Sequence, residues 1–275
     1  MSAGADWSAS FGSASLSRLR VYDEVMVPRI FEPWAKLLLD RVEIIQGEAV
    51  LDIACGPGTV ARMASARLGS GGRVTACDIS PAMLELARAK PPVDRGAEIV
   101  YLEASADHLP VPDAECDVVT CQQGLQFFPN RDAAVAEMRR ALRPDGRVGV
   151  AVWTEMQRSP ALSALADAVE RVAGRELADR YRDGPWGFPD GRLLAELFER
   201  GGFSDIRVST HVLPTPFEEG TPQLVATLAA SAIAEQIDRL SPDQRQQILE
   251  TLTGTLGSGS VNSEMESNVV TARRG

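Results

Sequence analysis

The stretch Asp52-Ile53-Ala54-Cys55-Gly56-Pro57-Gly58 concentrates residues that could do chemistry. A short apolar run, Ala49 to Ala54, leads into the two glycines, and a helical pattern begins near Thr59. Glycines at such a junction let backbone approach a ligand closely, and the helix N-terminus that follows offers unpaired N–H groups. Asp78 stands twenty residues beyond Gly58, at the end of the next apolar run. A carboxylate there can accept two hydrogen bonds, as from the 2′- and 3′-hydroxyls of a ribose. Turn and acid together imply an adenosine-type ligand.

These residues need strands to hold them, and the pattern supplies them. Apolar runs at Ala49–Ala54, Arg73–Asp78, Glu98–Ala104, Cys116–Gln122 and Arg147–Trp153 read as five strands, the first of them fully buried. Between them lie helical patterns over about 59–68, stopped by glycines, over 81–90, with Ser80 as N-cap and Pro81 in the first turn, and over 132–142, ended by Pro144-Asp145-Gly146. Alternation at this spacing predicts an α/β, doubly wound, Rossmann-like parallel sheet with ligands at the carboxyl ends of its strands. Upstream, a helical pattern from Ser17 to Ile45 is interrupted by Pro28 and Pro33, which predicts two or three short helices. Downstream, 155–185 and 191–200 read as helical around a turn at PWGFPD, and Asp205–Leu213 alternates as a strand. Residues 217–253 read as two or three helices with a break at Ser241-Pro242, and Met265–Arg274 as a final strand.

Composition narrows the function classes. The 275 residues are 44% hydrophobic and 24% charged, with a formal net charge of −10. That acidic balance argues against nucleic-acid binding as the main task, since phosphate contacts want a basic face. No run of about 20 apolar residues exists, so integral membrane association is not expected. The first dozen residues carry neither a basic start nor an apolar stretch, so the expected location is cytoplasmic. Cys55, Cys77, Cys116 and Cys121 show no CxxC spacing and read as reduced, buried thiols. Nothing in the spacing suggests a metal site. Of fifteen Phe, Trp and Tyr residues, only Tyr101 falls between Trp34 and Phe127. The others, including Trp7 and Phe11, crowd the flanks, where aromatic walls would suit a hydrophobic small-molecule partner.

The run of glycines after an acidic strand resembles the first motif of the class I S-adenosyl-L-methionine-dependent methyltransferases. Three further segments extend the resemblance in order: DISPAML (78–84), SADHLPVPDAECDVV (105–119) and LRPDGRVGVAVW (142–153). Together they cover roughly residues 47–155. The branch they resemble is the small-molecule, metal-independent type 11 group that includes quinone-biosynthesis enzymes. The resemblance implies a seven-stranded sheet with its last strand antiparallel. It also implies a helical cap at 1–46, a cofactor core at 47–154, a helical insertion at 155–200, and a final section at 201–275 with a lid at about 217–256.

Carried onto this sequence, the resemblance implies that Asp52 orients the methionine ammonium through water or backbone while Ala54, Gly56 and Gly58 line the amino-acid end. Asp78 would hold the ribose. Ile79 and Met83 would pack on the adenine, Ala106 would offer its N–H, and Gln122 would face the sulfonium. The family often has Asp where Ser105 stands, so the adenine amino group falls to Ser105 or to Asp107. Tyr22, Phe127, Phe128 and Trp186 are the candidate acceptor pocket, and Tyr22, His108, Glu155 and Glu170 the candidate bases. Two other readings of the same turn are a catalytically silent relative serving as a regulatory subunit and an NAD(P)-dependent oxidoreductase. Against the latter stand Cys55 and Pro57 beside the glycines and the lack of a Tyr-x-x-x-Lys pair. The acceptor, the methylated atom (O, N or C) and any homo-oligomer stay open at this stage.

Overall fold

The computed structural model describes residues 16–186, 188 and 190–275; Trp7 and Phe11 lie outside them. Seven strands form one sheet in the order β3-β2-β1-β4-β5-β7-β6. They are β1 (Ala49–Ile53), β2 (Arg73–Asp78), β3 (Glu98–Glu103), β4 (Cys116–Gln122), β5 (Leu142–Trp153), β6 (Phe203–Phe217) and β7 (Val261–Arg274). The first five pair in parallel, and β7 runs antiparallel between β5 and β6. All five residues of β1 are buried, as a central strand covered on both faces requires.

At the N-terminus, α1 (Leu16–Val21), a π-helical segment (Tyr22–Phe31) and α2 (Glu32–Arg41) follow one another without a break. This corrects the expectation that Pro28 would interrupt the helix. An α-helix there would push the proline ring against the carbonyl four residues back. The wider π spacing relieves that crowding, and the Arg29 guanidinium donates to the Glu24 and Val25 carbonyls at 3.4 and 3.0 Å. Pro33 sits in the first turn of α2, where a missing N–H costs nothing.

The crossover helices are α3 (Thr59–Leu68), α4 (Pro81–Ala89) and α5 (Arg131–Ala141). Ser80 caps α4 as expected, its hydroxyl accepting from the Met83 amide at 3.3 Å. Beyond β5 come α6 (Pro160–Ala173), α7 (Arg175–Arg182) and α8 (Gly191–Arg200). Between β6 and β7 are inserted α9 (Thr221–Ala226), a 3-10 turn (Thr227–Ala230), α10 (Ala234–Arg239) and α11 (Pro242–Leu256). Ser241 and Gln244 form a reciprocal capping box at the start of α11. Three strands run longer than their sequence suggests, β7 starting at Val261 and not Met265. β5 begins at Leu142, because Pro144-Asp145-Gly146 is a bulge against β4 with Asp145 at φ 62° and not a turn outside the sheet. β6 continues through Pro214 and Pro216, which an edge strand tolerates.

Candidate active site

At the carboxyl end of β1 the chain turns through the left-handed region at Ala54, Gly56 and Gly58. Gly58 has a second reason to lack a side chain: a Cβ there would fall 2.7 Å from the Tyr101 hydroxyl. The turn is fastened to the next strand twice. Cys55 N donates to Cys77 O at 3.0 Å, and Gly56 N donates to Asp78 Oδ2 at 2.7 Å. The other Asp78 oxygen accepts from Ser80 N at 2.9 Å. Burial pushes the Asp78 carboxyl up, and the Ser80, Gly56 and Ile79 amides pull it back. Each of its oxygens carries a second lone pair for a further donor.

Asp52 lies behind the turn, where it can act on a ligand only through backbone or water. Its carboxylate is 1% exposed beneath the turn, accepting from the Thr120 hydroxyl at 2.9 Å, and it does not line the cavity. Burial pushes its pKa up to about 7 against hydrogen bonds from Thr120 and the Ala61 amide.

A cavity of about 250 Å³ opens where the strands end. Ala54, Gly56, Asp78, Ile79, Met83, Ser105, Ala106 and Gln122 all line it; Gly58 does not, being turned toward Tyr101. Ser105 bonds through its hydroxyl to Asp107, which itself stays off the wall. The pocket aromatics Tyr22, Phe127, Phe128 and Trp186 also line the cavity. Sequence reasoning missed several neighbours: Met26, Ile30 and Phe31 from the π segment, Trp153 at the end of the fifth strand and Met156 beyond it, and Tyr181, Thr227 and Ser231 from or beside the later helices. Trp153 joins these parts, with ring centroids 6.5 Å from Phe31, 5.4 Å from Trp34 and 6.3 Å from Trp186.

The candidate bases are not brought together. His108 and Glu155 are exposed and off the cavity, and Glu170 pairs with Arg182 at 2.6 Å. Only Tyr22 reaches the wall. Burial, with the Asp78 and Asp23 carboxylates, raises its pKa well above the usual phenol range, so it is held as a neutral phenol. Gln122 donates Nε2 to Phe31 O at 2.9 Å, while its buried Oε1 has no partner among the described residues. The four cysteines are buried and unbridged. Among the described residues no helix is long and apolar enough to cross a membrane, and no three acidic, His or Cys side chains are grouped to hold a metal ion.

A sheet with this strand order, a glycine turn after β1 and an acid closing β2 defines the class I methyltransferase fold. Residues 51–150 match a family model described as a methyltransferase domain. The ubiquinone/menaquinone biosynthesis C-methyltransferase of Cupriavidus pinatubonensis is 30% identical over 198 residues, covering 69% of this chain and 81% of that protein. Among solved structures, a SAM-dependent methyltransferase from Aquifex aeolicus superposes with a TM-score of 0.54 at 15% identity, covering 95% of this chain and 99% of its own. Phosphoethanolamine N-methyltransferase 2 from Haemonchus contortus, in complex with S-adenosyl-L-methionine, superposes with a TM-score of 0.58 at 17% identity, covering 94% and 57%. The chain belongs to the class I S-adenosylmethionine-dependent methyltransferases, in their quinone-biosynthesis-like branch. It is an enzyme that uses S-adenosylmethionine, which sets aside the nicotinamide reading.

Proposed function

We propose that this methyltransferase methylates a ring carbon of a hydrophobic, electron-rich acceptor of the quinol type. The observation that carries the reading is the cavity's lining. Among the described residues on its wall, Asp78 is the one charged side chain, and the rest are mainly apolar or aromatic. An acceptor that needed an amine or alcohol deprotonated would want a base at the wall, worth about 10²–10⁴-fold in rate. A quinol carbon is already nucleophilic through its ring oxygens: the C–C bond forms as the S–C bond breaks, leaving S-adenosylhomocysteine, and the ring proton then passes to water. The name of the Cupriavidus relative points the same way.

The residues present fit the cofactor. Asp78 offers free lone pairs at the end of β2, where ribose hydroxyls would be accepted. Gly56 and Ala54 leave backbone open at the amino-acid end, Ile79 and Met83 flank the place for an adenine, and the unpartnered Gln122 Oε1 faces a demand for positive charge. S-adenosylmethionine supplies a methyl group already activated on a sulfonium. The chain's own task is alignment and water exclusion, and alignment alone is worth up to about 7–11 kcal/mol. Trp153, Trp186, Phe31 and Phe128 would hold the acceptor ring flat and tolerate a developing cation. Tyr22, as a neutral phenol, would donate a hydrogen bond and not abstract a proton. In this reading the described part of the 1–46 segment, residues 16–46, is the cap, 47–154 the cofactor core, 155–200 a helical insertion, and 201–275 the last two strands with a lid at about 217–256.

The experiment is incubation with S-adenosylmethionine and a short-chain prenylated hydroquinone, beside matched phenols and amines. The expected product gains one methylene in mass, and carbon–proton correlation spectra place it on the ring. Methyl found on oxygen or nitrogen would refute the assignment.

A further inference from the structure

Two polar ties fasten the N-terminal helical run to the site, and one of them joins three pieces of chain. The ammonium of Lys90, just past the C-terminal end of α4, lies 2.6 Å from Asp23 Oδ1 and donates to Pro57 O at 3.0 Å. Asp23 follows Tyr22 in the π segment, and Pro57 is the middle of the glycine turn. The two side chains are 22% and 19% exposed, so water and salt screen them less than a surface pair. At the far end of the segment Gln122 holds Phe31 O. Between the ties, Tyr22, Met26, Ile30 and Phe31 form part of the cavity wall. The Tyr22 phenol feels both the Asp23 and the Asp78 carboxylates, which puts the Lys90 tie at the Asp78 end of the cavity.

We propose that Lys90 is a positioning residue that clasps the π segment to the glycine turn, and so sets how long S-adenosylmethionine and its demethylated product stay bound. The segment that carries Tyr22 must lift for a nucleoside at Asp78 to leave. Lifting separates Asp23 from Lys90, so the pair stabilises the closed arrangement alone, and an interaction present in one of two states shifts their populations by its full free energy. The π segment suits such motion, because Pro28 contributes no helical N–H and leaves the segment one backbone hydrogen bond short. The inference rests on the reading that Asp78 holds the ribose.

The test is a double-mutant cycle on the dissociation rate of S-adenosylhomocysteine from the full chain, followed by displacement with excess unlabelled ligand. Asp23→Asn and Lys90→Gln should each speed dissociation about fivefold or more. The double variant should be no faster than Lys90→Gln, because both changes break one pair. Added salt should speed release from the wild type and do little to either variant. Wild-type dissociation from Asp23→Asn, or effects that multiply in the double variant, would overturn the clasp and leave Lys90 a support for the turn alone. Should Lys90→Gln fail to fold, the rate and salt dependence of Asp23→Asn decide the matter. Asp78→Asn measured alongside separates the two readings: unchanged affinity there moves the ribose elsewhere, whereas a failed cycle removes only the clasp.

Discussion

Asp52 and Asp78 stand on neighbouring parallel strands, and their surroundings give them different work. Asp78 accepts amide hydrogens and still faces the cavity, so it can take a ligand's hydroxyls. Asp78→Asn removes the charge and one acceptor oxygen, and charge-assisted bonds are worth about 1.5–3 kcal/mol each. Cofactor affinity should fall ten- to a hundredfold by calorimetry. Asp52 is sealed under the turn with its pKa pushed up to about 7. The native state therefore keeps this proton at pH values where the unfolded chain has lost it. Stability from the group is full below the ordinary carboxylate range and falls as pH rises to about 7, by up to about 1.4 kcal/mol per pH unit. Between about pH 5 and pH 8 the wild type should lose stability relative to Asp52→Asn in urea denaturation. A difference between the two proteins that stays flat with pH would show that the buried carboxyl does not titrate in this window.

At the scale of elements, α2 meets the sheet at a close approach. A Cβ on Gly149 of β5 would lie 2.1 Å from Val42 Cγ1 and 3.1 Å from Leu38 Cδ1, so α2 and the residue after it rest directly on strand backbone. Gly149→Ala should cost about 1–3 kcal/mol in denaturant unfolding. Cofactor affinity should fall with it, because α2 continues into the segment that carries Tyr22. Gly149 lies inside an apolar run that reads as strand whatever its third residue, so its role emerges only once α2 is packed. The parallel strands were legible because each run is short and mostly apolar and the central ones, β1 and β4, are buried on both faces. The start of β5 and the end of β6 were not, since a proline that breaks a central strand is harmless at a bulge or an edge. Nor can side-chain periodicity distinguish π from α winding over ten residues. In the site, Gly56 and Asp78 are local signals at strand ends, whereas His108, Glu155 and Glu170 look like bases only until tertiary structure exposes the first two and pairs the third with Arg182.

For the whole molecule, the cavity wall comes from three stretches far apart in the chain: the N-terminal π segment, the ends of the parallel strands, and the segments beyond β5 and between β6 and β7. Buried aromatic residues join them, with Trp153 touching the Phe31, Trp34 and Trp186 rings. The polar contacts divide that wall in two. Asp78, Gly56 and the Lys90 clasp lie toward the cap, whereas Tyr181, Trp186 and Thr227 belong to the later helices. Occupancy of one half should therefore quiet different backbone than occupancy of the other. Ligand binding stabilises whatever opens to release it, by about 2.7 kcal/mol at a hundred times the dissociation constant. Amide hydrogen exchange in saturating S-adenosylhomocysteine should slow most over residues 22–31 and 54–58. Adding an acceptor should then extend protection to 177–186 and 227–232. Equal protection of both regions by S-adenosylhomocysteine alone would mean that the cavity closes as one unit, with the aromatic bridge through Trp153 outweighing the polar ties at either end.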